Sequence, residues 1–255
     1  MAFNKHISGF ENEDEFVKLF HKRRFRELNP LEQLFLNDLF ENVKDNDIVY
    51  CYKSYEKKKA DIFIRVRTVT KGISIKKGIK NSVHTEPIRV FIDFLKECGV
   101  NDDVINAYLR YHYADGSIDG TGKHRMSSEE YKIEHQKEID IINEAFNKEE
   151  ILKKAAYRFV LQGNNSFQSI DAILYGVDYD FLWIKKDDIA RMIISRQNLN
   201  ASGVHFGPLF CQPQSRCLNY NSKYEKDRYV VQLKWYHLSD DIIENMNWKV
   251  CNHIN

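Results

Sequence analysis

Lys59-Ala60-Asp61-Ile62-Phe63-Ile64, followed by Gly72-Ile73-Ser74-Ile75-Lys76-Lys77-Gly78, is the stretch from which the chain is read. Ile48 to Tyr55 and Ala60 to Val69 are rich in β-branched and aromatic residues. Asp61, Phe63 and Arg65 share one parity and Ile62, Ile64 and Val66 the other, which predicts strands. Gly72 and Gly78 bracket a third short strand, Ile73 to Lys76. A hairpin of the second and third strands brings Asp61 and Lys76 together. Hydrolysing a phosphodiester takes a hard divalent cation held by carboxylate and carbonyl oxygens, with a cation or base near the attacking water. Asp61 is the candidate metal ligand and the Ile75 carbonyl a second oxygen. Lys76 is placed to orient the water and offset charge on the phosphate.

Working outward, Phe16, Leu19 and Phe20 recur at helical spacing between Glu13 and about Phe25, and Leu31, Leu34, Phe35 and Phe40 form a second such face after Pro30. Pro87 opens an amphipathic helix carrying Ile88, Phe91, Ile92 and Leu95 that ends near Gly99. Asp102 to about Phe159 is mostly helical, interrupted by the loop containing Gly116, Gly120 and Gly122. That loop marks either a domain boundary or an excursion within one domain. Strands are expected again at Ile170 to Tyr175 and Tyr179 to Ile184, then a helix from Asp187 to about Arg196, then a hairpin of Pro208 to Arg216 with Arg228 to His237.

The 255 residues suffice for one large domain or two small ones, and a chain that is 43% hydrophobic and 29% charged folds around a core. The net charge of +1 conceals an uneven distribution. Lys53 to Lys80 holds ten basic residues against Glu56 and Asp61, a local +8 that leaves the rest of the chain at −7. Such a segment suits a polyanion, although lysines also serve to solubilise edge strands. The five cysteines are odd in number and irregularly spaced, which argues against a disulfide scaffold. With no signal-peptide pattern and no long apolar run, a cytoplasmic protein with reduced thiols is expected.

The order of elements and the Asp61, Ser74-Ile75-Lys76 motif, followed by Asn81-Ser82-Val83-His84 and a helix, resemble the core of the PD-(D/E)XK nucleases over about residues 10–100. The resemblance implies an α/β (α+β) fold with an αβββαβ restriction-endonuclease-like core, a helical insertion and a C-terminal mixed α/β region. It implies a metal-dependent endonuclease acting on double-stranded DNA, of type II restriction kind. Mg²⁺ is the expected cofactor, Mn²⁺ a substitute, and a homodimer the expected assembly. Residues 1–115 would be the catalytic core. Residues 116–255 would hold a helical segment and a β-rich region for DNA recognition, in a second domain or in the same one.

Ser74 departs from the family pattern, standing where an Asp or Glu is usual, and a hydroxyl cannot offset the charge of a cation. Glu13, on the helical face of Phe16 and Phe20, is the candidate replacement, with Glu15 and Glu86 in reserve. Its alternative role is that of a first-turn acid favoured by the helix dipole. His84 is a candidate phosphate contact or proton carrier just before the helix. Lys58, Lys59, Lys77, Lys80, Asn81 and Ser82 are candidate backbone contacts, and Gln212, Gln214, Arg216, Gln232 and Lys234 candidate base contacts.

Rival motifs carry less. Asp227 precedes Gln232-Leu233-Lys234 too closely for two adjacent strands and has no basic cluster beside it. The spacing of His205, Cys211, Cys217, Cys251 and His253 matches no common zinc site. Gly116 to Lys123 lacks the Walker spacing. Two other readings stay open: a nuclease-like fold that binds nucleic acid without cutting it, and an interaction module using the acidic segment Glu129 to Glu150.

Overall fold

A computed structural model describes residues 9–54, 59–79, 81–122, 124–163, 168–197, 203–213 and 222–253. Its chain divides into two compact units, the first formed by residues 1–81, 160–192 and 237–255 and the second by 82–159 and 193–236. Both are discontinuous in sequence. Among the described residues no helix is long and apolar enough to cross a membrane.

The first unit is built on a six-stranded mixed sheet. Its strands are β1 (Arg23–Arg24), β2 (Ile48–Lys53), β3 (Ile62–Val66), β4 (Val69–Lys76), β6 (Ala172–Val177) and β7 (Asp180–Lys185), in the spatial order β1-β2-β3-β4-β6-β7. The strand between β4 and β6 in sequence belongs to the other sheet. Neighbours run antiparallel except β4 and β6, which are parallel, with Lys76 opposite Tyr175. Helices α1 (Gly9–Phe20) and α2 (Pro30–Leu39) belong to this unit, with most of α7 (Lys186–Ser195) and all of α8 (Leu238–His253). Asn29 starts α2 as a capping box with Glu32, and Pro30 occupies the first turn, where its missing N–H costs nothing. Phe16, Phe20 and Phe35 pack with Ile62, Ile64, Ile73, Leu174 and Phe181 in one core.

The expected third strand is longer than its bracketing glycines suggest. Val69–Lys76 runs through Gly72, because the turn falls earlier, at Arg67 and Thr68, with Val66 paired to Val69 and Arg67 at a φ of 54°. At Gly72 a Cβ would meet the Ala60 side chain at 3.1 Å and the Phe63 ring at 3.3 Å, so the glycine serves close packing inside the strand instead of a turn.

The second unit holds a four-stranded sheet in the order β5 (Asn81–Pro87), β10 (Val230–Trp235), β9 (Leu209–Pro213), β8 (His205–Phe206). Its helices are α3 (Ile88–Glu97), α4 (Asp102–Tyr113), α5 (Ser128–Phe146) and α6 (Glu149–Ala155), the last continuing into a π-helical stretch over Ala156–Gln162. Two expectations change here. Asn81 to Glu86, placed by the sequence only as the segment leading into a helix, is a strand, because pairing with a segment some 150 residues away outweighs its local turn chemistry. Arg228 and Tyr229, read as the start of a strand, close the 3₁₀ helix Ser222–Tyr229, where Arg228 pairs with Asp115 at 2.6 Å. Asp227 lies in that same helix.

Candidate active site

Asp61 stands immediately before β3 and extends its ladders. Its N–H donates to the Ile73 carbonyl at 2.9 Å, and its own carbonyl accepts from the Ser54 N–H at 3.0 Å. The backbone on both sides is thereby fixed, and the carboxylate is held against β4. Oδ2 of Asp61 accepts from the Ser74 hydroxyl at 2.9 Å and from the Ile75 N–H at 2.6 Å. Ser74 and Lys76, two residues apart on one strand, project to the same face. The Lys76 ammonium lies 3.4 Å from the same Asp61 oxygen, and donates to the Ser74 hydroxyl at 2.7 Å and the Ile75 carbonyl at 3.0 Å. Asp61, Ser74, Ile75 and Lys76 therefore meet around a single oxygen.

Glu13, on α1, reaches this neighbourhood from another layer. Burial raises its pKa, and the Asp61 charge raises it further against the opposing pull of Lys53 and Lys76. Lys53 at the end of β2 lies 3.4 Å from Glu13 and 3.0 Å from Asp14. Glu15 is engaged elsewhere, with Lys18 at 2.9 Å. Lys59 is half-buried, its stem against Gly163, and burial together with the Lys76 charge pushes its ammonium down to about 7 despite Asp61. At neutral pH it is a weaker fixed cation than an exposed lysine.

His84 and Glu86 belong to the second unit. The His84 ring packs on Phe159 with centroids 5.2 Å apart, and its Nε2 is 3.4 Å from the buried Glu86 carboxylate, which also pairs with Arg158 at 2.9 Å. This cluster ties β5 to the π-helical stretch. On β9 and β10, Gln212 stands opposite Gln232, and Lys234 opposite Phe210. Gln232 donates to the Ser82 hydroxyl at 3.1 Å. Asn81 is buried and donates to the Gly78 carbonyl at 2.8 Å. Lys77 is half-buried at the end of β4. Lys58, Lys80, Gln214, Arg216 and Cys217 lie outside the described residues.

Among the described residues no group of three or more His, Cys, Asp or Glu side chains could hold a metal ion. The oxygens at hand are the Asp61 and Glu13 carboxylates and the Ile75 carbonyl. This set fits Mg²⁺, which typically takes one or two carboxylates and completes its shell with water and substrate phosphate oxygens.

Sequence reading overlooked two residues of this region, Asn12 and Tyr175, and counted Lys53 only as part of the basic segment. Asn12 is buried on α1 and donates to the Gly176 carbonyl at 3.0 Å, anchoring the helix that carries Glu13. The Tyr175 hydroxyl donates to the Gly78 carbonyl at 2.9 Å. A polar residue beside Glu13 on an otherwise apolar helical face was the available signal for Asn12. Tyr175 had none, because its position follows from the parallel pairing.

Among solved structures, the restriction endonuclease MspI in complex with its cognate DNA matches with a TM-score of 0.56 over 87% of each chain, at 15% identity. The chain has a restriction-endonuclease-like fold. No family model and no curated protein matches it. In this fold the mixed sheet presents Asp61 and Lys76 side by side where β3 begins and β4 ends.

Proposed function

We propose that the chain is a metal-dependent endonuclease that hydrolyses phosphodiester bonds in double-stranded DNA, of type II restriction kind. The observation that carries this reading is the meeting of Asp61 and Lys76 at 3.4 Å across Ser74 in a restriction-endonuclease-like sheet. Mg²⁺, or Mn²⁺ in its place, would supply charge stabilisation at the phosphate and a more acidic water. Asp61 and Glu13 would hold the ion with the Ile75 carbonyl. Lys76 would keep its ammonium beside the attacked phosphate, where it orients water and offsets developing charge. Ser74 fixes both partners through its hydroxyl and contributes no charge.

Lys77 and the neighbouring lysines would bind the DNA backbone, and Gln212, Gln232 and Lys234 would present donors and acceptors to base edges. The β-rich C-terminal region thus becomes the recognition part. Cutting both strands calls for two sites, which favours a homodimer on the substrate. A second reading, binding without cleavage, draws on one observation: Ser74 leaves Asp61 without a second acid on the β4 face.

The deciding experiment incubates purified protein with long, sequence-diverse duplex DNA in Mg²⁺, in Mn²⁺ and in chelator, beside Asp61→Ala. Discrete metal-dependent fragments that vanish in the variant are expected. DNA binding in chelator with no cleavage under any condition would establish the second reading instead.

A further inference from the structure

The turn after Lys76 displays an apolar side chain. Ile79 is 81% exposed, more than any other large hydrophobic side chain among the described residues. A single exposed isoleucine is ordinary. This one is displayed by a clamped turn. The Gly78 carbonyl accepts two side-chain hydrogen bonds, from Tyr175 at 2.9 Å and Asn81 at 2.8 Å, and Gly78 itself sits at a φ of 74°. Both donors come from buried residues, and Tyr175 pairs with Lys76 across the parallel ladder. The sheet that positions Lys76 thus also fixes the turn presenting Ile79. In sequence Ile79 lies between Lys77-Gly78 and Lys80. Three residues of chain span at most about 11 Å, so Ile79 stays within a few base steps of any phosphate held at Lys76.

A ligand that meets the Lys76 ammonium and an apolar tip together is charged outside and apolar within. Duplex DNA has this character: phosphates at its surface and stacked bases between them. We propose that Ile79 is an apolar wedge that enters the base stack beside the attacked phosphate at Lys76. This inference rests on the DNA-cleaving reading and specifies how the site engages its substrate. Wedges of this kind partly unstack one base step and kink the duplex, and the cost is smallest at flexible pyrimidine–purine steps. Deformability at that step then contributes to site selection without a base-edge contact.

The test uses the mapped cleavage site in two duplexes, one intact and one with a mismatch at the step beside the scissile bond. Wild type, Ile79→Ala and Ile79→Leu are compared on both. The wedge predicts that Ile79→Ala slows cleavage of the intact duplex about tenfold or more, because unstacking loses its partner. On the mismatched duplex, already unstacked, Ile79→Ala cuts within about twofold of wild type, and Ile79→Leu keeps wild-type rates on both. Equal loss on the two duplexes, or no loss on either, overturns the wedge and leaves the nuclease reading standing. Wild-type protein that neither binds nor cuts DNA overturns that reading and the wedge with it.

Discussion

The chemistry turns on one oxygen, Asp61 Oδ2, which accepts from Ser74 and from the Ile75 N–H with Lys76 close by. Removing the Lys76 ammonium leaves the phosphate-binding surface in place, so Lys76→Ala should retain DNA affinity while cleavage falls by about 10²-fold or more. A gel-shift and a cleavage time course measured together check this, and cleavage by the variant at the wild-type rate would remove Lys76 from the mechanism. Ser74→Asp supplies a second acid beside Asp61, and Lys76 is close enough to balance it. The Mg²⁺ concentration for half-maximal cleavage should drop in this variant, as an Mg²⁺ titration would show; an unchanged midpoint would mean that position 74 does not face the ion. The Asp61, Lys76 pairing was legible because alternation in two adjacent strands determines which residues share a face. Lys59 was legible only as a cation, since its lowered pKa comes from burial and from the nearby Lys76 charge.

At the scale of elements, α5 and the residue capping its C-terminus hold the second unit's short strand through two buried asparagines one turn apart. Asn143 donates to the Gly203 carbonyl and accepts from the His205 N–H, while Asn147 donates to the His205 carbonyl and accepts from the Gly207 N–H. Asn143→Leu would strand a buried donor and acceptor, so the unfolding free energy should fall by about 2–4 kcal/mol, read from urea denaturation. His205 lies within this clasp with its pKa lowered by burial, the Gly203 carbonyl opposing the shift. Its neutral form is the one folding favours. Below about pH 6.5 the unfolded chain takes up a proton that the folded state resists, so stability should decline as pH falls through that value. His205→Asn should flatten the denaturation midpoint between pH 7 and 5; midpoints that track wild type would assign the dependence to other groups. Helix starts were readable from Pro30 and Pro87. The strand character of Asn81 to Glu86 was not, because its partner β10 is far along the chain and its own residues favour turns.

For the molecule as a whole, the uneven charge matters more than the sum. With +8 between Lys53 and Lys80 and −7 on the remainder, DNA is expected to be bound by this segment under strong counterion release, although Lys53, Arg67 and Lys71 already pair with acids. Affinity measured in chelator should fall about 10³–10⁵-fold between 50 and 200 mM salt if 6–10 phosphates are engaged. A flat salt dependence would argue that the basic segment serves only solubility. The helix, strands, helix order and the Asp61, Lys76 hairpin rest on local periodicity, and local periodicity makes them legible in the sequence. The completion of the sheet by β6 and β7, the clamp of Tyr175 on Gly78, and the gathering of His84 with Glu86 and Arg158 came from tertiary structure. Each joins residues some seventy to a hundred positions apart, or depends on a parallel pairing that only a long crossover permits. No short window of sequence encodes such a partner, because the choice is made by what the assembled core can bury.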